Sequence, residues 1–141
     1  MEKALAHDRR VREMMSSTVK TLDRNAQLSL ADNVMRAERI RHLPVLDEDG
    51  RLCGILSQRD MFRGALAQAL GYGTAAQQKV LSMLRVKEVM TTEVVTTQPD
   101  ALLAEAAGIM IERKIGCLPV VDDGRLVGIL TESDFVALAV R

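Results

Sequence analysis

Gly54 to Asp60 reads GILSQRD, and Gly128 to Asp134 reads GILTESD. A chain of 141 residues thus spells one strand end and helix start twice, down to the hydroxyl and the carboxylate three positions beyond it. Outward from that phrase, the likeness continues. A shift of 75 places VREMM (Val11 to Met15) on VKEVM (Val86 to Met90). Leu28, Ala31, Met35 and Ile40 then fall on Leu103, Ala106, Met110 and Ile115, and LPVLDEDGRLCGILSQRD falls on LPVVDDGRLVGILTESD after a one-residue deletion. About twenty of some fifty aligned positions are identical, which makes this an internal repeat.

Each copy reads β-α-β-β-α. A short strand (residues 19–22, 94–97) leads to a helix expected to be capped by Asn25 or Asp23 in the first copy and by Asp100 in the second. Apolar residues at helical spacing follow: Leu28, Ala31, Val34 and Met35, then Leu102, Leu103, Ala106, Ile109 and Met110. A second strand (43–46, 118–121) turns at Asp-Glu-Asp-Gly or Asp-Asp-Gly into a third (52–56, 126–130), a hairpin signal. The closing helices span 58–70 and 132–141. The expected division is a single module over 1–141, with repeat 1 at 11–70, a linker helix at 71–85 capped by Thr74, and repeat 2 at 86–141. One apolar sheet face is left over per copy, so two copies are expected to bury those faces about a pseudo-twofold axis. The fold class is α/β (α+β).

Composition bounds the function. Lys+Arg and Asp+Glu both number 19, so no global charge points to nucleic acid or an anionic membrane. Three aromatics, Phe62, Tyr72 and Phe135, are too few for a base-stacking platform. The core must be aliphatic, with the methionines on apolar helix faces. The charged opening MEKALAHDRRVREMM reads as no secretory leader, and no apolar run reaches spanning length. A soluble cytoplasmic protein is expected. His7 and His42 are the only histidines, and no metal-ligand spacing, GxSxG elbow or GxxxxGK[ST] loop occurs. Cys53 aligns with Val127 and reads as core; Cys117 aligns with His42 and reads as semi-exposed. No catalytic residue is assigned, and an enzyme is not expected.

The openings VREMM and VKEVM, the LPV-D-G-RL-G turn and the closing GIL[ST]xxD, repeated in the same order, resemble the CBS domain family in its tandem form, the Bateman module. The resemblance covers about three-quarters of the chain. It implies two β-α-β-β-α units packed sheet to sheet with clefts at their pseudo-symmetric interface. It also implies AMP, ADP or ATP as ligand, with S-adenosylmethionine or NAD less favoured, and control of a separate protein. Many such modules form dimers; a homodimer is expected here, through the helices after each GIL phrase.

Two readings of the phrase coexist. Ser57 and Thr131 are N-cap hydroxyls with Asp60 and Asp134 three residues on, close to a capping box. That alone would account for all four residues. The ligand reading adds that a helix N-terminus suits phosphate and that a carboxylate one turn in suits a ribose diol. The resemblance implies the same roles for Ser57, Asp60, Thr131 and Asp134.

Charge separates the copies. Residues 11–62 hold eight basic and eight acidic side chains, whereas 86–136 hold four and nine. Arg41, His42 and Arg59 are candidate phosphate contacts. The second copy has Gly116, Cys117 and Ser133 in their places and Glu132 inside its phrase. The stronger phosphate site is therefore expected at Ser57 and Asp60, although Arg36, Arg39 and Arg41 also read as a plain solvated face. Candidate adenine walls are Val19, Ile40 and Pro44 in one copy and Val94, Ile115 and Pro119 in the other. The rival reading is a ligand-free protein-interaction or dimerisation scaffold whose phrases are only caps. A nucleic-acid binder using the basic residues of the first copy is disfavoured by the neutral charge.

Overall fold

The computed structural model describes residues 8–68, 79 and 81–140. Their elements are α1 (Val11–Met14), β1 (Leu22–Asp23), α2 (Leu28–Glu38), β2 (His42–Leu46), β3 (Leu52–Ser57), α3 (Gln58–Gln68), a 3-10 turn (Val86–Glu88), α4 (Leu103–Arg113), β4 (Cys117–Asp122), β5 (Arg125–Thr131) and α5 (Glu132–Val140). The first part of the expected linker helix with its Thr74 cap, like Leu70 and Arg141, lies outside the described residues; 81–83 are helical.

These elements form two compact units that are out of phase with the repeats. The first unit is Lys20–Val94; the second is Val95–Arg141 with the opening segment up to Val19. The VREMM segment therefore belongs with the second repeat's core and VKEVM with the first's.

In the first unit the strand order is β1-β2-β3, with β1 parallel to β2 (Leu22 opposite Val45) and β2 antiparallel to β3 (His42 opposite Ser57, Pro44 opposite Ile55). A fourth row is added by Thr91, which exchanges two 2.9 Å backbone bonds with Ile55. The second unit repeats the order. Thr97 bridges Val120 in parallel, β4 pairs β5 (Cys117 opposite Thr131), and Ser16 bonds Ile129 at 2.9 and 3.0 Å. The expected opening strands at 19–22 and 94–97 thus shrink to Leu22–Asp23 and one bridge at Thr97. Val19 and Val94 fall where the chain leaves one unit for the other, so no ladder is there for them to join.

The exchanged segments also explain why the expected helix caps do not form. Gln27 and Leu102 occupy the N-cap positions of α2 and α4 without a side-chain bond. The Leu28 N–H donates instead to the Leu84 carbonyl (2.9 Å) and the Leu103 N–H to the Arg9 carbonyl (2.8 Å), so backbone replaces the side-chain acceptor. Asp23 serves a local turn, accepting the Asn25 N–H at 2.8 Å, and Asp100 pairs with Arg12. Both helices end in a left-handed residue, Arg39 and Lys114 (φ 55° each), with the next N–H returning to Met35 and Met110. In the second hairpin Asp123 (φ 51°) and Gly124 (φ 79°) form the two-residue turn that the deletion leaves.

The glycine of each repeated phrase has a packing reason. A Cβ on Gly54 would lie 2.5 Å from Met90 Sδ and 3.0 Å from the Thr91 carbonyl oxygen. One on Gly128 would lie 2.5 Å from Met15 Sδ and 3.1 Å from the Ser16 carbonyl oxygen. The methionine of VxEVM and the glycine of GIL are therefore one contact, made between repeats within each unit. Met15 and Met90 leave the helix faces expected for them. The cores are aliphatic as expected: Leu22, Leu28, Leu43, Val45, Leu56 and Met61 in the first unit, Val11, Leu103, Leu118, Val120 and Leu130 in the second.

Candidate functional site

Each repeated phrase sits where a hairpin strand hands over to a helix. In the first unit the Gln58 N–H donates to the Arg41 carbonyl at 2.8 Å, which ties the start of α3 to the start of β2. His42, half-buried, stands opposite Ser57. The Asp60 N–H donates to Ser57 Oγ at 3.0 Å. The Asp60 carboxylate does not return to the Ser57 N–H; its Oδ2 accepts from Thr91 Oγ1 at 3.3 Å. Arg39, Arg41 and Arg59 are exposed around this corner, and the ion pairs among the described residues involve none of them.

The second unit builds the same corner differently. The Glu132 N–H reaches the Gly116 carbonyl at 3.3 Å. Asp134 Oδ2 accepts the Thr131 N–H at 2.8 Å and Thr131 Oγ1 at 3.4 Å, while Thr131 Oγ1 and Ser133 Oγ lie 2.8 Å apart. The reciprocal capping box expected of both phrases is thus split. The first unit makes the hydroxyl-to-N3 half and the second the carboxylate-to-N-cap half. Cys117, at the His42 position, is buried rather than semi-exposed. It opens β4 against Thr131, and burial, followed by the nearby charge of Asp134, pushes its thiol up to about 12. Cys53 packs against the first core, and its thiol is raised chiefly by burial.

The candidate adenine walls are regrouped. Ile40, Pro44 and Val94 belong to the first unit; Val19, Ile115 and Pro119 belong to the second. Each trio read along one repeat therefore loses its valine to the other unit. Pro44 is fully buried and Pro119 buried, while the other four are partly buried. Sequence reasoning missed Thr91 and Ser16, because a self-alignment matches like with like and does not show which copies touch. The Gly54–Met90 complementarity was the signal available.

Among the described residues no group of three or more His, Cys, Asp or Glu could hold a metal ion, and no helix is long and apolar enough to cross a membrane.

A family model described as the CBS domain matches residues 11–66 and again 86–141. A CBS domain-containing protein of Dictyostelium discoideum is 32% identical over 132 residues, 93% of this chain and 91% of that protein. Other curated relatives are longer, and the chain spans only 42% and 24% of two of them. A Vibrio cholerae protein named for acetoin utilization (AcuB) is 40% identical, with 94% of this chain and 90% of that one covered and a TM-score of 0.76. The CBS domain pair of protein MJ0100, solved in complex with 5-methylthioadenosine and S-adenosyl-L-methionine, is 31% identical with a TM-score of 0.77, covering 93% of this chain and 95% of that one.

Proposed function

Because this chain belongs to the CBS domain family and carries two copies of the domain, we propose that it is a regulatory module that binds an adenine nucleotide at the GILSQRD corner and reports its level to a separate protein. The observation that carries the reading is the company of Ser57 and Asp60. Arg59 lies in the first turn of α3, the Arg41 carbonyl accepts the Gln58 N–H that opens it, and Arg39 stands two residues before Arg41; all three are exposed and engage no carboxylate among the described residues. Arginine is suited to phosphate by its fixed fork of donors, and the helix end adds N–H groups and positive dipole. Asp60 supplies the acceptor for a ribose diol, and Arg41, His42 and Arg59 the contacts to phosphate.

The adenosine ligands of MJ0100 support an adenosine-class ligand. The arginines favour AMP, ADP or ATP over S-adenosylmethionine, which lacks phosphate. Ile40, Pro44 and Val94 are the assigned apolar neighbours of the base in the first unit. The Thr131–Asp134 corner, with Val19, Ile115 and Pro119, is assigned the weaker phosphate affinity, since Glu132 opens its helix and repels an anion at short range. The role is regulatory rather than catalytic. Occupancy shifts a conformational equilibrium by no more than the ligand's differential affinity for the two states.

A second reading, a ligand-free dimerisation scaffold, rests on α5. It buries no residue and exposes Val136 and Val140 by 62% and 81%. We assign that face to a second copy of the chain, which is compatible with either reading. Val136→Lys is then expected to convert a dimer to a monomer in light scattering.

A thermal-shift panel of AMP, ADP, ATP, NAD and S-adenosylmethionine tests the ligand reading. At a hundredfold over Kd the ligand adds about 2.7 kcal/mol, a rise on the order of 5–10 °C. It is expected with a phosphate-bearing adenine ligand, lost in Asp60→Ala and kept in Asp134→Ala. No shift with any of the five would leave the scaffold.

A further inference from the structure

The two corners differ in what holds the carboxylate, and that difference has a source outside both phrases. We propose that Thr91 is a positioning residue that presents Asp60 to the ligand, and that the two corners are consequently inequivalent, the first poised and the second self-occupied. The inference rests on the reading that an adenine nucleotide binds at the GILSQRD corner.

A carboxylate that takes a ribose diol needs lone pairs directed outward, away from its own helix cap. Asp60 meets that condition: Thr91 Oγ1 donates to its Oδ2 at 3.3 Å, and the cap is closed by the Ser57 hydroxyl, which accepts the Asp60 N–H at 3.0 Å. The hydroxyl hangs from a fixed backbone, since the Thr91 N–H and C=O are both bonded to Ile55 at 2.9 Å. Ser16 has the same backbone anchorage on Ile129 in the second unit, yet Asp134 takes its bonds from Thr131 instead. The phrases themselves tip this balance. Ser133 lies 2.8 Å from the Thr131 hydroxyl, and the matching residue of the first phrase is Arg59, which offers no such contact. With its hydroxyl drawn to Ser133, the second cap is closed by the carboxylate. A diol arriving at Asp134 must displace a charge-assisted bond of 2.8 Å, whereas one arriving at Asp60 displaces no cap bond. One charge-assisted bond corresponds to about tenfold or more in affinity.

Calorimetric titration of ATP, ADP and AMP into the wild type, and of the tightest of the three into Thr91→Val, Thr91→Ser and Asp60→Ala, with melting temperatures for each, tests this. Thr91→Val keeps shape and backbone bonds at an exposed position and is expected to melt with the wild type but bind about tenfold more weakly. Thr91→Ser restores the hydroxyl and is expected to bind within about twofold of wild type. Wild-type affinity in Thr91→Val, with binding abolished in Asp60→Ala, would overturn the role of Thr91 and leave the nucleotide reading standing. Equal weakening in the Val and Ser variants would overturn it too, by placing the effect in packing rather than the hydroxyl. Absence of ATP, ADP and AMP binding in the wild type would overturn both.

Discussion

Replacing Gly54 by alanine probes the exchange of opening segments directly. The new Cβ would sit 2.5 Å from Met90 Sδ, 3.0 Å from Met90 Cγ and 3.0 Å from the Thr91 carbonyl oxygen. Ordinary contact is about 3.5–4.0 Å, so the sulfur must retreat by about an ångström. The carbonyl has less freedom, because it accepts the Ile55 N–H at 2.9 Å. Overpacking of this kind costs about 1–3 kcal/mol, and the entropy that alanine removes from the unfolded chain returns about 0.4–1 kcal/mol. The midpoints of the two ranges leave a net loss of about 1.3 kcal/mol, a fall in Tm of about 3–6 °C for a chain of this size. Urea unfolding of Gly54→Ala, Met90→Ala and the double variant measures it, with an expected coupling of at least about 0.5 kcal/mol between neighbours. Gly128→Ala with Met15→Ala should behave alike. Gly108 in α4 is the control: nothing lies within 4 Å of its added Cβ, so Gly108→Ala should stabilise by about 0.5–1 kcal/mol. If Gly54→Ala is as stable as wild type, or its cost is unchanged by Met90→Ala, the reasoning fails.

Two further outcomes follow from buried groups. The Asp32 side chain is 5% exposed and paired at 3.2 Å with Arg36, which is 63% exposed. Arg36→Ala leaves a buried carboxylate alone and should cost about 1–3 kcal/mol, whereas Asp32→Ala frees an arginine that water can solvate and should cost less; urea unfolding that ranks them the other way would contradict this. Cys117 is held protonated up to about 12, while an unfolded thiol titrates near 8.5. The folded state keeps the proton where the unfolded state releases it, so stability should fall as pH rises from about 9 toward 12, by at most about 1.4 kcal/mol per unit. Urea unfolding at pH 8 and 10 should show that extra slope in the wild type and not in Cys117→Ala; equal slopes would refute it.

The fold was legible because the repeat wrote it twice. Leu28, Ala31 and Met35 and their counterparts Leu103, Ala106 and Met110 showed helical faces, and the Asp-Gly turns marked the hairpins; both survive in the structure. The phase of the units was not legible, because periodicity reports local geometry and the exchange of 11–19 for 86–94 is a long-range choice. The same ignorance misplaced the caps. Asp23 and Asp100 have the right chemistry for a helix start, but the carbonyls of Leu84 and Arg9 arrive there first. At the candidate site, Ser57, Asp60, Thr131 and Asp134 were singled out by their repetition. Thr91 was not, since nothing local distinguishes it from any exposed threonine. The split of the capping box was also invisible, because it turns on a 2.8 Å contact between Thr131 and Ser133 that no pattern of residue types encodes.

The central claim is that an adenine nucleotide sits on Asp60. Fluorescence anisotropy of ATP labelled on its terminal phosphate, so that both the base and the ribose diol stay open, measures this most directly on wild type and Asp60→Ala at equal concentrations. Saturable binding by the wild type, competed by unlabelled ATP and weakened by about tenfold or more in Asp60→Ala, is the expected result. Equal binding curves for the two proteins would contradict the claim.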